Sequence, residues 1–381
     1  MRRARWVVAS VLAPVLASVG SVLLLSSLAI IASPVFLQAQ GNRIAIAAGS
    51  PEDKALQAIT AEPDPQKKLA MYQDFVQQFS ANPAAVAYGN WQIAQLYQNT
   101  NDLQKALEYG DKALASSPDN VDILVMQTNL AQQLKDNAKV MAYAVRGGQA
   151  YNANLKSAEQ AAPDNSTESY QFLEAAAFNV IVDENDAKKR MAYIESFTPA
   201  FPKSRFEDAV AQYAMVALSQ LNDMSRLVSY GEKSLAANPN SLPTLLLLAN
   251  AYVDDPKPGS LPKAITYAQK TIAVAKADAP DADSSRKLSA GVAHSTLGYA
   301  YMKQDKTVAA VPELKAAVAL LKGQPDQLSV ALYRLGYAYA KLNKVNEARE
   351  ILTEAVKIPG PVQQPAQDLL TKVNAARARG R

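Results

Sequence analysis

The chain has 381 residues, with one histidine, no cysteine and a formal net charge of +4. The absence of cysteine excludes disulfides, thiolate metal sites and cysteine nucleophiles, and a single histidine leaves little for metal binding or acid–base catalysis. The first 39 residues contain three arginines and no acid, so the remainder has 36 basic and 35 acidic residues, a balance that argues against nucleic-acid binding.

The N-terminal segment predicts export. Three arginines precede an uncharged, largely apolar run from residue 6 to residue 42, and Leu37-Gln38-Ala39 matches a signal-peptide cleavage site. Because about 20 apolar residues suffice to cross a bilayer, residues 1–39 are either a cleaved signal peptide or an N-terminal membrane anchor. The first alternative predicts a periplasmic or secreted protein. The second predicts inner-membrane association through residues 7–37, with the rest of the chain outside the cytoplasm.

Residues 40–50 are interpreted as a linker, and residues 51–358 as an array of helices. The first two helices are predicted to begin at Pro51 and near Gln66, on either side of the corner Glu62-Pro63-Asp64-Pro65. The second helix has apolar residues three and four positions apart, which is the spacing of a helix with one buried face.

Residues 87–120 form the first clear repeat. Two helices flank the turn Asn99–Asp102, with small residues where the helices would cross and large residues beside them. This pattern resembles the tetratricopeptide repeat, a helix–turn–helix unit of about 34 residues. The family positions are occupied by Ala94, Tyr97, Ala106, Ala113 and Pro118. The resemblance implies an all-α fold, namely a right-handed α-solenoid of about seven such repeats.

Drifted copies of the unit follow. Residues 153–167 are predicted to hold a helix end and a loop, and helices are predicted over Phe172–Val182 and Ala187–Phe201. The segment Phe201-Pro202-Lys203-Ser204-Arg205-Phe206 is similar to a phrase in bacterial envelope tetratricopeptide proteins, among them the outer-membrane assembly lipoproteins and the cell-division coordinator family. This chain lacks the lipid-bearing cysteine of the former, which excludes membrane attachment of that kind.

The two most similar copies are residues 291–322 and 329–358. Their shared pentapeptide Leu-Gly-Tyr-Ala-Tyr stands at Leu297–Tyr301 and at Leu335–Tyr339. The polar, Asp-rich residues 277–286 are predicted to form a loop before them. Residues 361–381 are predicted to form a C-terminal capping helix with a polar, basic end, because a terminal repeat must hide its apolar face from water.

No catalytic motif accompanies the repeats. The chain has no Gly-rich phosphate loop, no His-Glu-x-x-His and no Gly-x-Ser-x-Gly. His294 lies where packing residues normally lie, and the acidic turn 183–186 lacks the ligand spacing of a calcium loop. We therefore expect no catalytic residue, no metal site and no cofactor. An enzyme that uses Asp, Glu, Lys and Tyr in a closed pocket stays open as an alternative.

The remaining candidates are surface residues. In the tetratricopeptide family, the first helix of each repeat lines a concave groove, and this role is carried over to the matching positions of the last two repeats. Those positions hold tyrosines and lysines four residues apart, so each set forms one stripe along its helix. An aromatic pair occupies the same face in an earlier repeat. The candidate partner-binding residues are Tyr299, Lys303, Tyr333, Tyr337, Lys341, Tyr88 and Trp91.

A tyrosine beside a lysine can stack on a peptide and bind its carboxylates. The chain is therefore interpreted as a non-catalytic protein–protein interaction scaffold, exported to the cell envelope, that binds a protein or peptide partner in the groove. Chaperone-binding relatives hold a terminal carboxylate with lysine, asparagine and arginine; the asparagines are missing here, so that specificity is not carried over. Two alternatives stay open: the tyrosines pack against the next repeat, or the protein is a cell-wall or glycan-binding module that presents Tyr88 and Trp91 as an exposed aromatic row.

Overall fold

The structure is a computed structural model that describes residues 44–157 and 164–379. The predicted signal peptide or anchor, residues 1–39, and the start of the predicted linker lie outside the described residues. Within the described ranges the chain forms 17 α-helices and no strand. None of these helices is both long enough and apolar enough to cross a membrane.

The chain divides into two compact units, which we call the N-terminal unit (described residues up to Phe206) and the C-terminal unit (from Glu207 onward). The helices of the N-terminal unit are α1 (Pro51–Ala61), α2 (Pro65–Gln78), α3 (Pro83–Asn99), α4 (Leu103–Ser116), α5 (Val121–Gln133), α6 (Asn137–Ser157), α7 (Asp164–Asp183) and α8 (Ala187–Ala200). The helices of the C-terminal unit are α9 (Glu207–Gln220), α10 (Met224–Ala237), α11 (Leu242–Asp254), α12 (Ser260–Ala275), α13 (Ser284–Lys303), α14 (Thr307–Leu320), α15 (Pro325–Lys341), α16 (Val345–Lys357) and α17 (Gln363–Arg379).

Within each unit, every helix packs on its neighbours in sequence, and some helices two apart also touch. In the C-terminal unit these contacts place α9, α11, α13, α15 and α17 in one layer, with the even-numbered helices packed against it. This is the packing of stacked helix–turn–helix repeats, so the predicted all-α repeat solenoid is confirmed. The described residues contain eight helix pairs followed by α17, when the short pair α1–α2 is counted.

Small residues fill the helix crossings, as the repeat pattern predicts. Ala94, Ala106 and Ala113 have no exposed surface. Gly336, in the second pentapeptide, lies against α16: a Cβ there would be 2.6 Å from Cγ of Leu352, well inside the normal carbon–carbon contact of about 3.5–4.0 Å. Glycine therefore permits α15 to approach α16 more closely than any other residue would.

Two helices begin earlier than the sequence predicts. α7 begins at Asp164 rather than near Phe172. α13 begins at Ser284, inside the predicted loop 277–286, because the carboxylate of Asp283 accepts a hydrogen bond of 2.7 Å from the backbone N–H of Arg286. Arg286 then donates from Nε to the carbonyl of Ala275 at the end of α12 (2.7 Å). A polar sequence therefore caps and joins two helices at a place where the pattern favours a loop.

The last helix, α17, packs on α16 and α15. Its buried residues Ala366 and Val373 belong to the same core cluster as Leu335 and Leu352 of the final repeat. The apolar end of that repeat is thus covered by a helix whose other positions, as far as residue 375, are mostly exposed.

Candidate functional site

Five of the seven predicted binding residues lie on two adjacent helices of the C-terminal unit. Tyr299 and Lys303 are on α13, and Tyr333, Tyr337 and Lys341 are on α15. The two helices contact each other, and the side chains interact in a chain: Lys303 lies over the ring of Tyr299, Tyr333 interacts with Tyr299 and Tyr337, and Lys341 interacts with Tyr337. They therefore form one continuous surface. We call the surface formed by these five residues and Arg334 the α13–α15 face.

Tyr337 presents its ring to solvent on this face. Among the described residues two large apolar side chains are exposed, Tyr337 at 43% and Val308 of α14 at 74%. Tyr333 is partly buried. Burial raises the pKa of its phenol, and the nearby Tyr337 adds to the increase. Tyr333 therefore stays neutral at physiological pH. The pair offers one exposed ring, that of Tyr337, and one partly buried ring, that of Tyr333.

Lys303 is engaged by the preceding repeat. Its Nζ donates to the carbonyl of Val253 (2.6 Å) and lies 3.2 Å from the carboxylate of Asp254, so it caps the C-terminal end of α11. The same Nζ lies 4.9 Å from the centroid of the Tyr299 ring. The sequence predicts that Lys303 binds a partner, whereas in the structure its ammonium group already has partners within the chain.

Lys341 repeats this arrangement one unit later. Its Nζ lies 2.7 Å from the carboxylate of Asp305, which sits in the turn after α13 with a left-handed φ of 58°. The hydrogen bond lowers the pKa of Asp305 and raises the pKa of Lys341. Both lysines of the α13–α15 face therefore pair with an acid of the repeat before them.

Arg334 is the functional candidate that the sequence reasoning missed. Its Nη1 donates to the hydroxyl of Ser295 (3.0 Å), and its guanidinium carbon lies 4.5 Å from the centroid of the Tyr299 ring. Burial lowers the pKa of the guanidinium, although arginine stays charged in proteins. The sequence offers one signal for this residue: Arg334 directly follows Tyr333, and with Lys341 it is one of the two cations of α15.

Tyr88 and Trp91 lie in the N-terminal unit, on α3. Both are partly buried, and their ring planes are nearly perpendicular (84°) with centroids 6.5 Å apart. Burial raises the pKa of Tyr88, and the indole Nε1 of Trp91 is buried without an acceptor among the described residues. The two rings do not form a flat platform of the kind on which a sugar ring stacks.

His294 packs between the helices of its own repeat. Its Nδ1 lies 2.7 Å from the carboxylate of Glu313 on α14, and both side chains are largely buried. This contact agrees with the predicted packing role. In the parts of the chain that the structure describes, no group of three histidine, aspartate or glutamate residues is placed to hold a metal ion.

An open cleft of about 300 Å³ lies in the C-terminal unit, lined by α10, α11 and α12. Within it Lys263 donates to the phenol oxygen of Tyr252 (3.2 Å), which donates to Glu232 (3.1 Å). Burial raises the pKa of Tyr252, so the phenol stays protonated at neutral pH. The cleft is open to solvent.

Known proteins support the repeat assignment. A family model described as tetratricopeptide repeat matches residues 87–120, which contain most of α3 and all of α4, and residues 330–360, which contain most of α15 and all of α16. The chain therefore contains tetratricopeptide repeats in both units, and the second match includes four residues of the α13–α15 face, Tyr333, Arg334, Tyr337 and Lys341.

Solved structures with a similar repeat fold include the tetratricopeptide domain of P58(IPK), at 14% identity over 87% of this chain and 99% of that chain, with a TM-score of 0.32. A tetratricopeptide repeat protein from Parabacteroides merdae is 11% identical over 84% of this chain and 98% of that chain, with a TM-score of 0.34. Both TM-scores are low, so neither structure implies a partner for this chain. No curated protein sequence matches it.

Proposed function

We propose that this protein is an exported, non-catalytic scaffold that binds an extended segment of a partner protein on the α13–α15 face. Tetratricopeptide repeats generally mediate protein–protein interaction, and the chain contains such repeats. The observation that carries the proposal is the exposed ring of Tyr337, beside Tyr333 and near a charged Arg334, on one continuous surface. Exposed tyrosine next to arginine is the composition of binding hot spots.

The proposed site is tested by site-specific photo-crosslinking in the native cell. A photoreactive amino acid replaces Tyr337 in one strain and Val308 in another. Val308 is the matched control, because it is also an exposed apolar residue but lies on α14, outside the α13–α15 face. We expect position 337 to yield one or a few discrete adducts that position 308 does not. Identical adducts from both positions, or none from position 337, would contradict the proposal.

Export to a bacterial cell envelope is part of the same proposal. It is supported by three arginines followed by an apolar run, and by the similarity of residues 201–206 to envelope proteins. N-terminal sequencing of the mature protein separates the two alternatives: a start at Gln40 indicates a cleaved signal peptide, whereas an intact Met1 in the membrane fraction indicates an anchor. Under either alternative, alkaline phosphatase fused to the C-terminus of the chain should be active. An inactive fusion would exclude export.

A further inference from the structure

We infer that the α13–α15 face recognises an acidic side chain, aspartate or glutamate, inside an extended segment of the partner, and that Arg334 is the residue that binds its carboxylate. This inference rests on the proposed function and adds the chemistry of the ligand. The observations behind it are the hydrogen-bond partners of Arg334, the charges around it and the rings that flank it.

Arg334 has donors to spare. A guanidinium carries five N–H donors, and the described residues supply it with one hydrogen bond, from Nη1 to Ser295. Arg334 is partly exposed as a residue, although burial of its guanidinium lowers the pKa of that group. The guanidinium carbon lies over the ring of Tyr299, 4.5 Å from its centroid, a position from which the planar group can stack on the ring. A planar, oriented guanidinium with free N–H groups matches the two oxygens of a carboxylate.

The neighbouring charges leave Arg334 as the cation that lacks an acid of its own. Lys303 is paired with Asp254, and Lys341 is paired with Asp305. Asp254 is near enough to favour the charged form of Arg334, but it lies 3.2 Å from Lys303, which neutralises it. Asp368 of α17 acts on Tyr333 and contributes to the raised pKa of that phenol, and it is not among the groups that act on Arg334. A ligand carboxylate would therefore neutralise the one cation of this face that has no acidic partner, Arg334.

The position of Arg334 favours an internal acid over a chain end. The ring of Tyr299, on α13, lies 4.5 Å from the guanidinium, and the exposed ring of Tyr337 lies on α15, about one helical turn after Arg334. A partner that contacts both rings must continue past Arg334 in both directions. A terminal carboxylate would occupy one side and leave the ring of the other side without a contact.

The test selects binders to the full chain, kept in a mild detergent, from a phage library of random peptides of about 12 residues, which span about 40 Å when extended. In one library both peptide ends are covered by coat protein, and in a second the C-terminus is free. Selection against the Tyr337→Ala variant removes peptides that bind elsewhere. We expect the first library to yield peptides that share an aspartate or glutamate at a fixed position.

The decisive measurement is a double-mutant cycle on one selected peptide, made with blocked ends. Replacing its acid by the corresponding amide should weaken binding roughly 10- to 100-fold, and this loss should shrink to about twofold or less on Arg334→Gln. Lys341→Gln is the matched control, because it removes a cation from the same helix and should leave the full loss intact. The peptide substitution alone keeps the test valid if Arg334→Gln unfolds.

The outcomes separate the inference from the proposed function. Selected peptides without a shared acid, or an amide substitution without effect, would overturn the inference while the α13–α15 face remains a binding site. Binding that requires a free C-terminus would also overturn it. If neither library yields peptides that distinguish the protein from Tyr337→Ala, both the inference and the proposed function are wrong.

Discussion

Gly110 and Gln127 form a contact whose disruption should be measurable. Gln127, on α5, is fully buried, and its Nε2 donates to the carbonyl of Leu107 (2.8 Å) and to the carboxylate of Asp111 (2.9 Å). Tyr143 donates to the same carboxylate (2.6 Å). A Cβ added at Gly110 would lie 2.8 Å from Nε2 of Gln127 and closer still to the rest of its amide group. Gly110→Ala therefore cannot be accommodated unless Gln127 gives up its hydrogen bonds.

The magnitude follows from three contributions. Overpacking of a filled core costs about 1–3 kcal/mol. The two hydrogen bonds that Gln127 loses contribute about 1 kcal/mol each. Alanine is favoured over glycine in a helix by about 1 kcal/mol, which offsets part of the cost. Gly110→Ala should therefore lower the free energy of unfolding of the N-terminal unit by about 2–4 kcal/mol.

Urea denaturation followed by the fluorescence of Trp91 measures this loss locally, because Trp91 packs against the cluster that contains Leu107. The matched control is the double variant Gly110→Ala/Gln127→Ala, in which the added methyl has room. We expect it to be less destabilised than the sum of the two single variants by about 1–3 kcal/mol. Strictly additive effects, or a Gly110→Ala variant as stable as the wild type, would refute the argument.

Three further predictions concern single side chains. Burial raises the pKa of Tyr72 to about 12, whereas an unfolded tyrosine ionises near 10. The contribution of the neutral Tyr72 phenol to the free energy of unfolding is therefore complete below about pH 10 and is lost as the pH rises through about 12. Urea titrations at about pH 9 and 11.5 should show a loss on the order of 2 kcal/mol that is smaller in Tyr72→Phe, and equal losses in both proteins would contradict this. Arg205→Leu removes the ion-pair partner of the buried Glu174 (Nε to Oε2, 3.0 Å). In urea denaturation it should lower the free energy of unfolding of the N-terminal unit by about 1–3 kcal/mol. No change would show that the hydrogen bond from the backbone N–H of residue 205 is enough to stabilise the Glu174 carboxylate. Lys303→Met removes the cap of α11 and should speed hydrogen exchange in its last turn while leaving α12 unchanged; unchanged exchange in α11 would show that Lys303 does not hold that turn.

The repeat pattern was predictable because its information is local. Ala94, Ala106 and Ala113 lie at helix crossings that recur at a fixed spacing, and both the spacing and the residue size can be read from the sequence. The starts of α7 and α13 were not predicted. Their first turns are polar, and a capping residue such as Asp283 becomes recognisable only when its hydrogen bond is seen.

The candidate site was predicted only in part. The spacing of Tyr333 and Tyr337 places both on one stripe of α15, and the exposed ring of Tyr337 is what a residue on that stripe should show. The partners of the lysines depend on how one repeat stacks on the next. The sequence does not indicate that Lys303 reaches Asp254, 49 positions away, or that Lys341 reaches Asp305, 36 positions away.

The sequence alone indicates an all-α array of helix pairs that resemble tetratricopeptide repeats and carry tyrosines on their first helices. Helix periodicity and small-residue spacing act within one repeat, so they can be read without the structure. The stacking of the repeats, which the sequence does not reveal, establishes which cation of the α13–α15 face lacks an acidic partner. That residue is Arg334, since charge pairing between repeats depends on distances that arise when helices far apart in the chain are stacked side by side.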